Sequence, residues 1–320
     1  MSAPLVSVAL ATCDGAGFLA EQLDSVYGQT WPNLEVVASD DGSTDGTVAI
    51  LERYAEGHGL HYEAHPGRVG LVRNFERAMS LCRGEFIALC DQDDLWKPHK
   101  VEALMAGLGD ATLIYGNTQE ILDGSGRVRT ERSFENVFRF ARAHGSGRPL
   151  RHLVAENWVV SHTVLFRREL LDHALPIPPH QPFHDAWLAL IASKLGGIRY
   201  HDACLETYRE HPESLTYKND DQRQRSAVAS LASGRFRNGW RRRCAAETAR
   251  LGDALAHPLM DEGDRAFIQE LQIYYGAGLR PGLRLRAFKA GLRVAPFFST
   301  AFDRPWERWK LPLRPLVAGL

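Results

Sequence analysis

Three carboxylates share one short run, Asp91-Gln92-Asp93-Asp94, directly after the apolar stretch Glu85–Cys90. Nothing in the run neutralises them before Lys97. Clustered anions at the end of a buried strand repel one another unless a cation sits among them. Carboxylate oxygens suit Mg2+ or Mn2+, and such ions keep positions open for the phosphate oxygens of a ligand. The cluster therefore suits a divalent cation bridged to a diphosphate. An exposed acidic turn capping the helix that starts at Pro98 accounts for the same residues.

Three further groups have the right types for chemistry. Asp40-Asp41-Gly42-Ser43-Thr44-Asp45-Gly46 ends the apolar run Leu34–Ser39. A carboxylate there can accept from a base N–H or a ribose hydroxyl, and Asp41 is the candidate; Asp45 fits an N-cap instead. His184-Asp185 opens a helical stretch after the four-proline loop at 176–182. An Asp at a helix start is stabilised as the anion and can take a proton from a hydroxyl as general base, although a plain N-cap is the competing account. Tyr208-Arg209-Glu210-His211 follows the last short strand. Its Arg suits phosphate and its His suits metal or phosphate, and a solvated strand end explains them equally.

The elements that must position these groups are legible from hydrophobic spacing. Leu5–Ala11, Leu34–Ser39, His61–His65, Glu85–Cys90 and Ala111–Gly116 read as buried strands. Between them, Phe18–Tyr27, Thr47–Tyr54, Gly70–Cys82 and a stretch from Pro98 have helical spacing. Such alternation predicts a mostly parallel sheet with helices on both faces. Both acidic turns follow strands, where ligands of open α/β sheets bind. Beyond a weaker stretch from Phe134 to Gly147, Val159–Arg167 reads as a strand and Arg168–Leu175 as a helix. His184–Leu195 follows as a helix, then Ile198–His201 and Cys204–Tyr208 as short strands. After Gln222 the pattern is wholly helical, with breaks near Pro258, Gly276–Gly282, Pro296 and Pro305.

Composition bounds the function classes. The chain has 320 residues, 44 % hydrophobic and 24 % charged, enough to bury a sizeable core. Its 38 Lys and Arg against 39 Asp and Glu argue against a general nucleic-acid binder. The charge is uneven: residues 1–220 sum to about −10, and residues 235–320 to about +8. Arg235, Arg237, Arg241, Arg242 and Arg243 surround Phe236 and Trp240. Later, Phe297, Phe298, Phe302, Trp306 and Trp309 mix with Arg304, Arg308, Lys310 and Arg314. Cations among aromatics suit peripheral contact with an anionic membrane surface, and equally suit packing on the rest of the chain or on a second subunit in an oligomer. Five scattered cysteines without a CxxC pair read as reduced, mostly buried thiols. Met1 leads almost directly into a strand, and no run of roughly eighteen apolar residues occurs. The expectation is a cytoplasmic protein, with peripheral contact on the inner face of the cell membrane as the further possibility.

At this point the residues resemble a family. The run VSVALATCDGAGFLAEQLDSVYGQTWPNLEVVASDDGSTDGT is similar to the opening of family-2 glycosyltransferases of the GT-A fold. A Gly-x-x-x-Asn segment from Gly70 to Asn74, the acidic DQDD, the HDAW helix start and a final YREH then follow in that family's order. The resemblance covers roughly residues 4–220, and its finer likeness is to bacterial rhamnosyltransferase-like members that build surface polysaccharides. It implies an α/β fold: a GT-A, Rossmann-like, mostly parallel sheet flanked by helices, with a helical C-terminal extension. Residues 1–220 then form the nucleotide-sugar-binding and catalytic domain, and residues 221–320 a basic, aromatic helical extension.

The same resemblance implies inverting hexosyl or deoxyhexosyl transfer from a nucleoside-diphosphate sugar to a saccharide or lipid-linked saccharide, with Mn2+ or Mg2+. By matching position, Ala11, Thr12 and Asp14 line the nucleotide and Asp41 contacts the base. Gly70, Asn74 and Gln92 belong to the same donor site, and Asp91 sits near the ribose. Asp93 matches the metal ligand of the DxD motif, His211 a further metal or phosphate contact, and Asp185 the catalytic base. His162 and Trp187 match the acceptor side. Cys13-Asp14 departs from the usual Tyr-Asn, which removes an aromatic platform for the base. Ser161-His162 stands where relatives often carry a Gly-containing turn, and Pro212-Glu213-Ser214 departs from the usual Asn near the end.

Two other classes compete. A nucleotidyltransferase needs a Gly-rich phosphate loop with a basic residue near the N-terminus, and Asp14-Gly15-Ala16-Gly17 lacks one. A catalytically degenerate nucleotide-sugar-binding protein is expected to have lost Asp93 or Asp185, and both are present.

Overall fold

A computed structural model describes residues 2–118, 120–122, 126–130, 141–142, 145–212, 214, 235–276 and 284–297. The chain divides into two compact units, Met1–Pro149 with Trp158–Arg209, and Leu150–Asn157 with Glu210–Leu320.

The first unit is built on a seven-stranded sheet in the order β10-β6-β9-β4-β1-β2-β3. Its strands are β1 (Val6–Thr12), β2 (Leu34–Asp40), β3 (His61–Ala64), β4 (Phe86–Asp91), β6 (Leu113–Asn117), β9 (Val164–Arg167) and β10 (Ile198–Cys204). All pairings are parallel except those of β9, which runs antiparallel between β4 and β6. The expected mostly parallel sheet with flanking helices is therefore what forms. β1 is buried along its whole length, as a central strand covered on both faces must be, and VSVALAT carries no charge. Helices Leu19–Tyr27, Thr47–His58, Leu71–Leu81, Lys100–Leu108 and His184–Lys194 belong to this unit. Leu19, Leu23, Val26, Leu51, Leu104 and Leu108 meet Val8, Leu10 and Ala88 of the sheet in one core.

Strand order reverses at β1. The chain lays β2 and then β3 on one side of it and returns to place β4 on the other. The carboxyl ends of β1 and β4 therefore flank a crevice, with Ala11 opposite Asp91. On the other side Thr12 lies opposite Asp40. Both acidic turns are delivered to this switch point.

Sequence reading missed a second sheet of this unit, ordered β5-β11-β7-β8. It contains β5 (Leu95–Trp96), β7 (Glu120–Leu122), β8 (Val128–Thr130) and β11 (Glu206–Arg209). Three of its strands have two or three residues, too short for alternation to register. The expected strand Val159–Arg167 is also shorter. A single 3-10 turn, Ser161–Thr163, precedes β9, closed by Thr163 N–H donating to Val160 O at 3.0 Å. Most of the expected element at Phe134–Gly147 lies outside the described residues.

The second unit is helical, with Leu150–Ala155, Arg235–Ala256, Glu262–Gly276, Arg284–Val294 and a 3-10 turn Ala295–Phe297. Leu251, Phe267, Ile268, Leu271, Tyr274, Ala287 and Val294 are buried in it. Phe297 meets the ring of Phe267 edge-on at 4.8 Å and that of His152 at 5.0 Å. This one aromatic of the tail is thus spent on packing. Phe298 and the aromatics and cations after it, and the side chains of Arg235, Phe236, Arg237 and Trp240, lie outside the described residues. No helix among the described residues is long and apolar enough to cross a membrane.

Leu10 is fully buried in the central strand. Leu10→Ala is expected to lower unfolding free energy by about 2–5 kcal/mol, read from urea denaturation.

Candidate functional site

The site begins with the loop after β1. Asp14 takes a positive φ of 47°, uncommon for a side chain with a Cβ but tolerated by Asp. Its carboxylate accepts from Thr44 N–H at 2.8 Å and pairs with Arg68, while its own N–H donates to Ser43 Oγ at 2.8 Å. Ala11 and Thr12 close the buried run of β1, and Thr12 Oγ1 donates to the fully buried Asp40 at 2.8 Å. Asp45 holds the start of the next helix, accepting from Thr47 N–H at 2.9 Å and from Ala16 N–H at 3.0 Å. The N-cap position itself is Gly46, so Asp45 tethers the helix start from one residue earlier than expected.

Asp41 is buried, and its carboxylate accepts the backbone N–H groups of Val69 and Gly70, the latter at 3.0 Å. Through these bonds Asp41 anchors the segment that leads into helix Leu71–Leu81. Gly42 permits that approach: its φ is +63°, and a Cβ there would lie 2.9 Å from the Gly67 backbone. Asn74, buried on that helix, donates through Nδ2 to Thr12 O at 3.0 Å. Asp41, Gly70 and Asn74 thus act together as a brace on the end of β1.

Gln92 ties the two loops of the crevice. Its Oε1 accepts from Cys13 N–H at 2.7 Å and its Nε2 donates to Cys13 O at 3.1 Å. Gly15 makes room for that side chain, since a Cβ there would fall 2.2 Å from Gln92 Oε1.

The acidic run itself splits by burial. Asp91 is 32 % exposed, Asp93 is half-buried and Asp94 is fully buried. Asp94 accepts from Arg209 N–H at 3.1 Å, while the Arg209 side chain donates to Asp93 O at 2.9 Å and pairs with Glu21 at 2.5 Å. Beneath the run lies His162, almost entirely buried. Its Nδ1 is 3.0 Å from Asp94 Oδ2 and 3.4 Å from Asp91 Oδ2. Its Nε2 is 3.1 Å from Glu206 Oε1 and 3.0 Å from Thr118 Oγ1. Glu206 is paired in turn with the buried Lys100, which also donates to His162 O at 2.6 Å and lies 4.0 Å over the Trp96 ring. Burial works against a charged imidazole, but Glu206, Asp94 and Asp91 together outweigh it and hold His162 well above the usual imidazole value. Burial pushes Asp94 up to about 6, against the pull of His162.

The ligand atoms of Asp91, Asp94 and His162 all lie within 4.8 Å of one another. Asp94 Oδ2 and His162 Nδ1 are buried and neither makes an aligned hydrogen bond. Two carboxylates and an imidazole fit a divalent cation such as Mn2+. Asp93, the expected ligand, is not one of this set. His211 belongs to the second unit.

Asp185 starts helix His184–Lys194 and is buried. Oδ2 accepts from Ser161 N–H at 3.0 Å and Oδ1 from Ala186 N–H at 2.5 Å. Burial and the Asp91 carboxylate raise it to about 7, against the pull of the two N–H groups and His162. A carboxyl group that changes charge near neutrality is suited to taking a proton. Its neighbour His184 stacks on Phe75 at 3.8 Å, and burial pushes it down to about 3, so it stays neutral.

Two acceptor-side expectations are corrected. Trp187 is 1 % exposed and its indole N–H donates to Ala174 O at 2.8 Å, which makes it a core residue that no acceptor reaches. His162 is 2 % exposed, with Nε2 against Thr118 and Glu206 and Nδ1 facing Asp94 and Asp91, so it serves the acidic run from below. Sequence reading missed Lys100, Thr118 and Glu206. The available signal was Glu206, a lone charge in the buried start of a strand-like run.

Residues 7–172 match the family model described as Glycosyl transferase family 2. An uncharacterized glycosyltransferase of Nostoc sp. is 25 % identical over 218 residues, covering 64 % of this chain and 65 % of its own length. TuaG of Bacillus subtilis, named for teichuronic acid biosynthesis, is 34 % identical over 31 % of this chain and 40 % of its own. The matches thus span less than two thirds of these relatives. The crystal structure of S. aureus TarS 1-349 in complex with UDP-GlcNAc is similar with a TM-score of 0.56 at 16 % identity, covering 99 % of this chain and 92 % of that one. The mannosyltransferase PcManGT from Pyrobaculum calidifontis, in complex with GDP-Man and Mn2+, gives 0.54 at 19 % identity over 99 % and 86 %. These structural likenesses establish a shared fold.

Gln92→Ala removes two hydrogen bonds to Cys13, and Gly15→Ala forces the same side chain away. Each is expected to cost about 1–3 kcal/mol. In a double-mutant cycle read by thermal unfolding, the second change should cost little once the first is made.

Proposed function

The chain belongs to glycosyl transferase family 2, and from that premise we propose that it transfers a sugar from a nucleoside-diphosphate sugar to a saccharide hydroxyl, with inversion at the anomeric carbon. One observation carries this reading. The turn Ser161–Thr163 holds Asp185 through its first residue and the acidic run through its second. A group suited to proton abstraction and a site suited to a cation and diphosphate are thereby fixed to one short segment.

Asp185 takes the proton of the acceptor hydroxyl as that oxygen attacks the anomeric carbon. The bond to the donor diphosphate breaks on the opposite face as the new bond forms. Ala11, Thr12 and Asp14 border the nucleotide at the end of β1, and the Asp41–Gly70–Asn74 brace keeps that border in place. When bound, a Mn2+ or Mg2+ ion at the acidic run supplies positive charge that stabilises the leaving diphosphate. Asp93, half-buried on the same run, is assigned to that ion once the diphosphate is present.

The name of TuaG supports a cell-surface polysaccharide as the acceptor class, and a lipid-linked precursor is the finer form of that reading. Rhamnosyl transfer is the finer form of the proposal. Contact of the basic, aromatic tail with an anionic membrane belongs to it as well.

Asp185→Asn is expected to lower turnover by about two to four orders of magnitude, read as release of nucleoside diphosphate in the presence of acceptor. Wild-type turnover in that variant would remove the base assignment. Because the base works only when ionised, wild-type kcat/KM should climb with pH through about 7, and this limb should vanish in the variant. For the donor, a thermal-shift panel of UDP-, GDP- and dTDP-sugars, each with and without Mn2+, should give a metal-dependent rise selective for one nucleotide. A rise with one nucleotide sugar but no turnover with any acceptor would instead support a catalytically degenerate binding protein.

A further inference from the structure

Two exposed apolar side chains stand where Asp185 is held. Phe183 directly precedes His184-Asp185, and Val160 directly precedes the turn Ser161–Thr163. Phe183 is 43 % exposed and is the only exposed aromatic among the described residues; Val160 is 38 % exposed. Their immediate neighbours are buried: Ser161, His162 and Thr163 after Val160, His184 and Asp185 after Phe183. Phe183 also occupies the N-cap of helix His184–Lys194, where an oxygen-bearing side chain would hold the first N–H groups, and it makes no such bond. A residue that forgoes both burial and a cap breaks two local rules, and such breaks concentrate at functional positions.

The backbone beneath the two is cross-linked. Ser161 Oγ lies 2.8 Å from His184 Nε2, and Ser161 N–H donates to Asp185 Oδ2 at 3.0 Å. The His184 ring is backed by Phe75 at 3.8 Å, inclined by only 20°. Val160 O is fixed in turn, accepting from Thr163 N–H at 3.0 Å and from Thr163 Oγ1 at 2.7 Å. Phe183 and Val160 are each one residue from this bonded group, so they border Asp185 on a rigid support. A patch held still gives up little freedom when a ligand settles on it.

The chemistry of the occupant follows from these neighbours. Asp185 is suited to taking a proton, so the occupant carries a hydroxyl. Phe183 and Val160 side chains offer no hydrogen bond, so the occupant also presents apolar surface close to that hydroxyl. A pyranose ring does both: its hydroxyls project from the rim, and the C–H bonds of one face meet the negative face of an aromatic ring. A prenyl chain matches the apolar side chains but gives Asp185 no proton to take.

We propose that Phe183, with Val160 beside it, is the acceptor platform, on which one face of a pyranose ring stacks while a hydroxyl of that ring meets Asp185. The inference rests on the glycosyltransferase reading for the role of Asp185. It supplies the acceptor-side contact that the buried Trp187 and His162 do not.

Binding is read on the full chain by saturation-transfer difference NMR. The probes are methyl β-glucopyranoside, methyl α-mannopyranoside, methyl α-rhamnopyranoside and methyl β-N-acetylglucosaminide, each with and without UDP and Mn2+. At least one probe is expected to bind, with the strongest saturation on ring hydrogens that share one face. Phe183→Ala should weaken its affinity about 3–10-fold. Phe183→Tyr should keep wild-type affinity, Phe183→Leu should not, and Val160→Ser should weaken binding by a smaller factor than Phe183→Ala. Saturation of no probe under either condition overturns the proposal, as does unchanged affinity in Phe183→Ala. Saturation of farnesyl phosphate in place of the pyranosides assigns the patch to a lipid and overturns it equally. The measurement involves no transfer, so pyranoside binding without turnover counts against the enzyme reading alone and leaves the platform standing.

Discussion

Lys100, Glu206, His162 and Asp94 form a row of buried ionisable side chains that alternate in sign, and the carboxyl edge of the large sheet is organised around them. Water reaches almost none of this row. Leaving one such charge without its partner costs about 3–5 kcal/mol, a large part of what holds an ordinary domain together. Each member comes from a different place in the chain. Lys100 opens a helix, Glu206 starts β11, His162 lies in the turn before β9, and Asp94 follows β4. The electrostatic constraint is therefore also a topological one. It fastens the small sheet, the antiparallel strand and the central parallel strands to a single point, and Thr118 after β6 completes the ring of attachments.

Upon that foundation the crevice at the switch point is assembled by directional hydrogen bonds. Gln92 spans from the acidic run to Cys13, Asp41 and Asn74 secure the flank of β1, and Arg209 crosses above Asp94 to Glu21. Several acids that a chain reading assigns to ligand are in fact engaged with backbone. That arrangement is sensible for a site that receives a highly charged molecule. Walls already committed to fixed geometry need little reorganisation when charge develops among them.

Where hydrophobic period and turn chemistry speak, the sequence was informative. The uncharged run of β1, the DDGSTDG turn and the helix starting at His184 were each visible, because each follows a local rule. What escaped detection depended on partners far apart in the chain. Glu206 and Lys100 are 106 residues apart, and neither has a local pattern that betrays the other. The short strands of the small sheet were hidden because two or three residues cannot display a period. Trp187 was misassigned because an aromatic beside a reactive Asp looks accessible in a string of letters. On a helix start, neighbouring residues point about 100° apart, so one can face the crevice while the next enters the core.

The alternating row has a consequence for inheritance. Its charges balance as a set, and removing any one of them leaves the remainder uneven in a place water cannot reach. A descendant of this chain that drifts at His162 inherits an uncompensated Glu206, and one that loses Lys100 inherits the same carboxylate with only half its counterions. The positions 94, 100, 162 and 206 are thus a single heritable unit, tied by charge although scattered along the gene, and variation around the pocket mouth can proceed while they stay together.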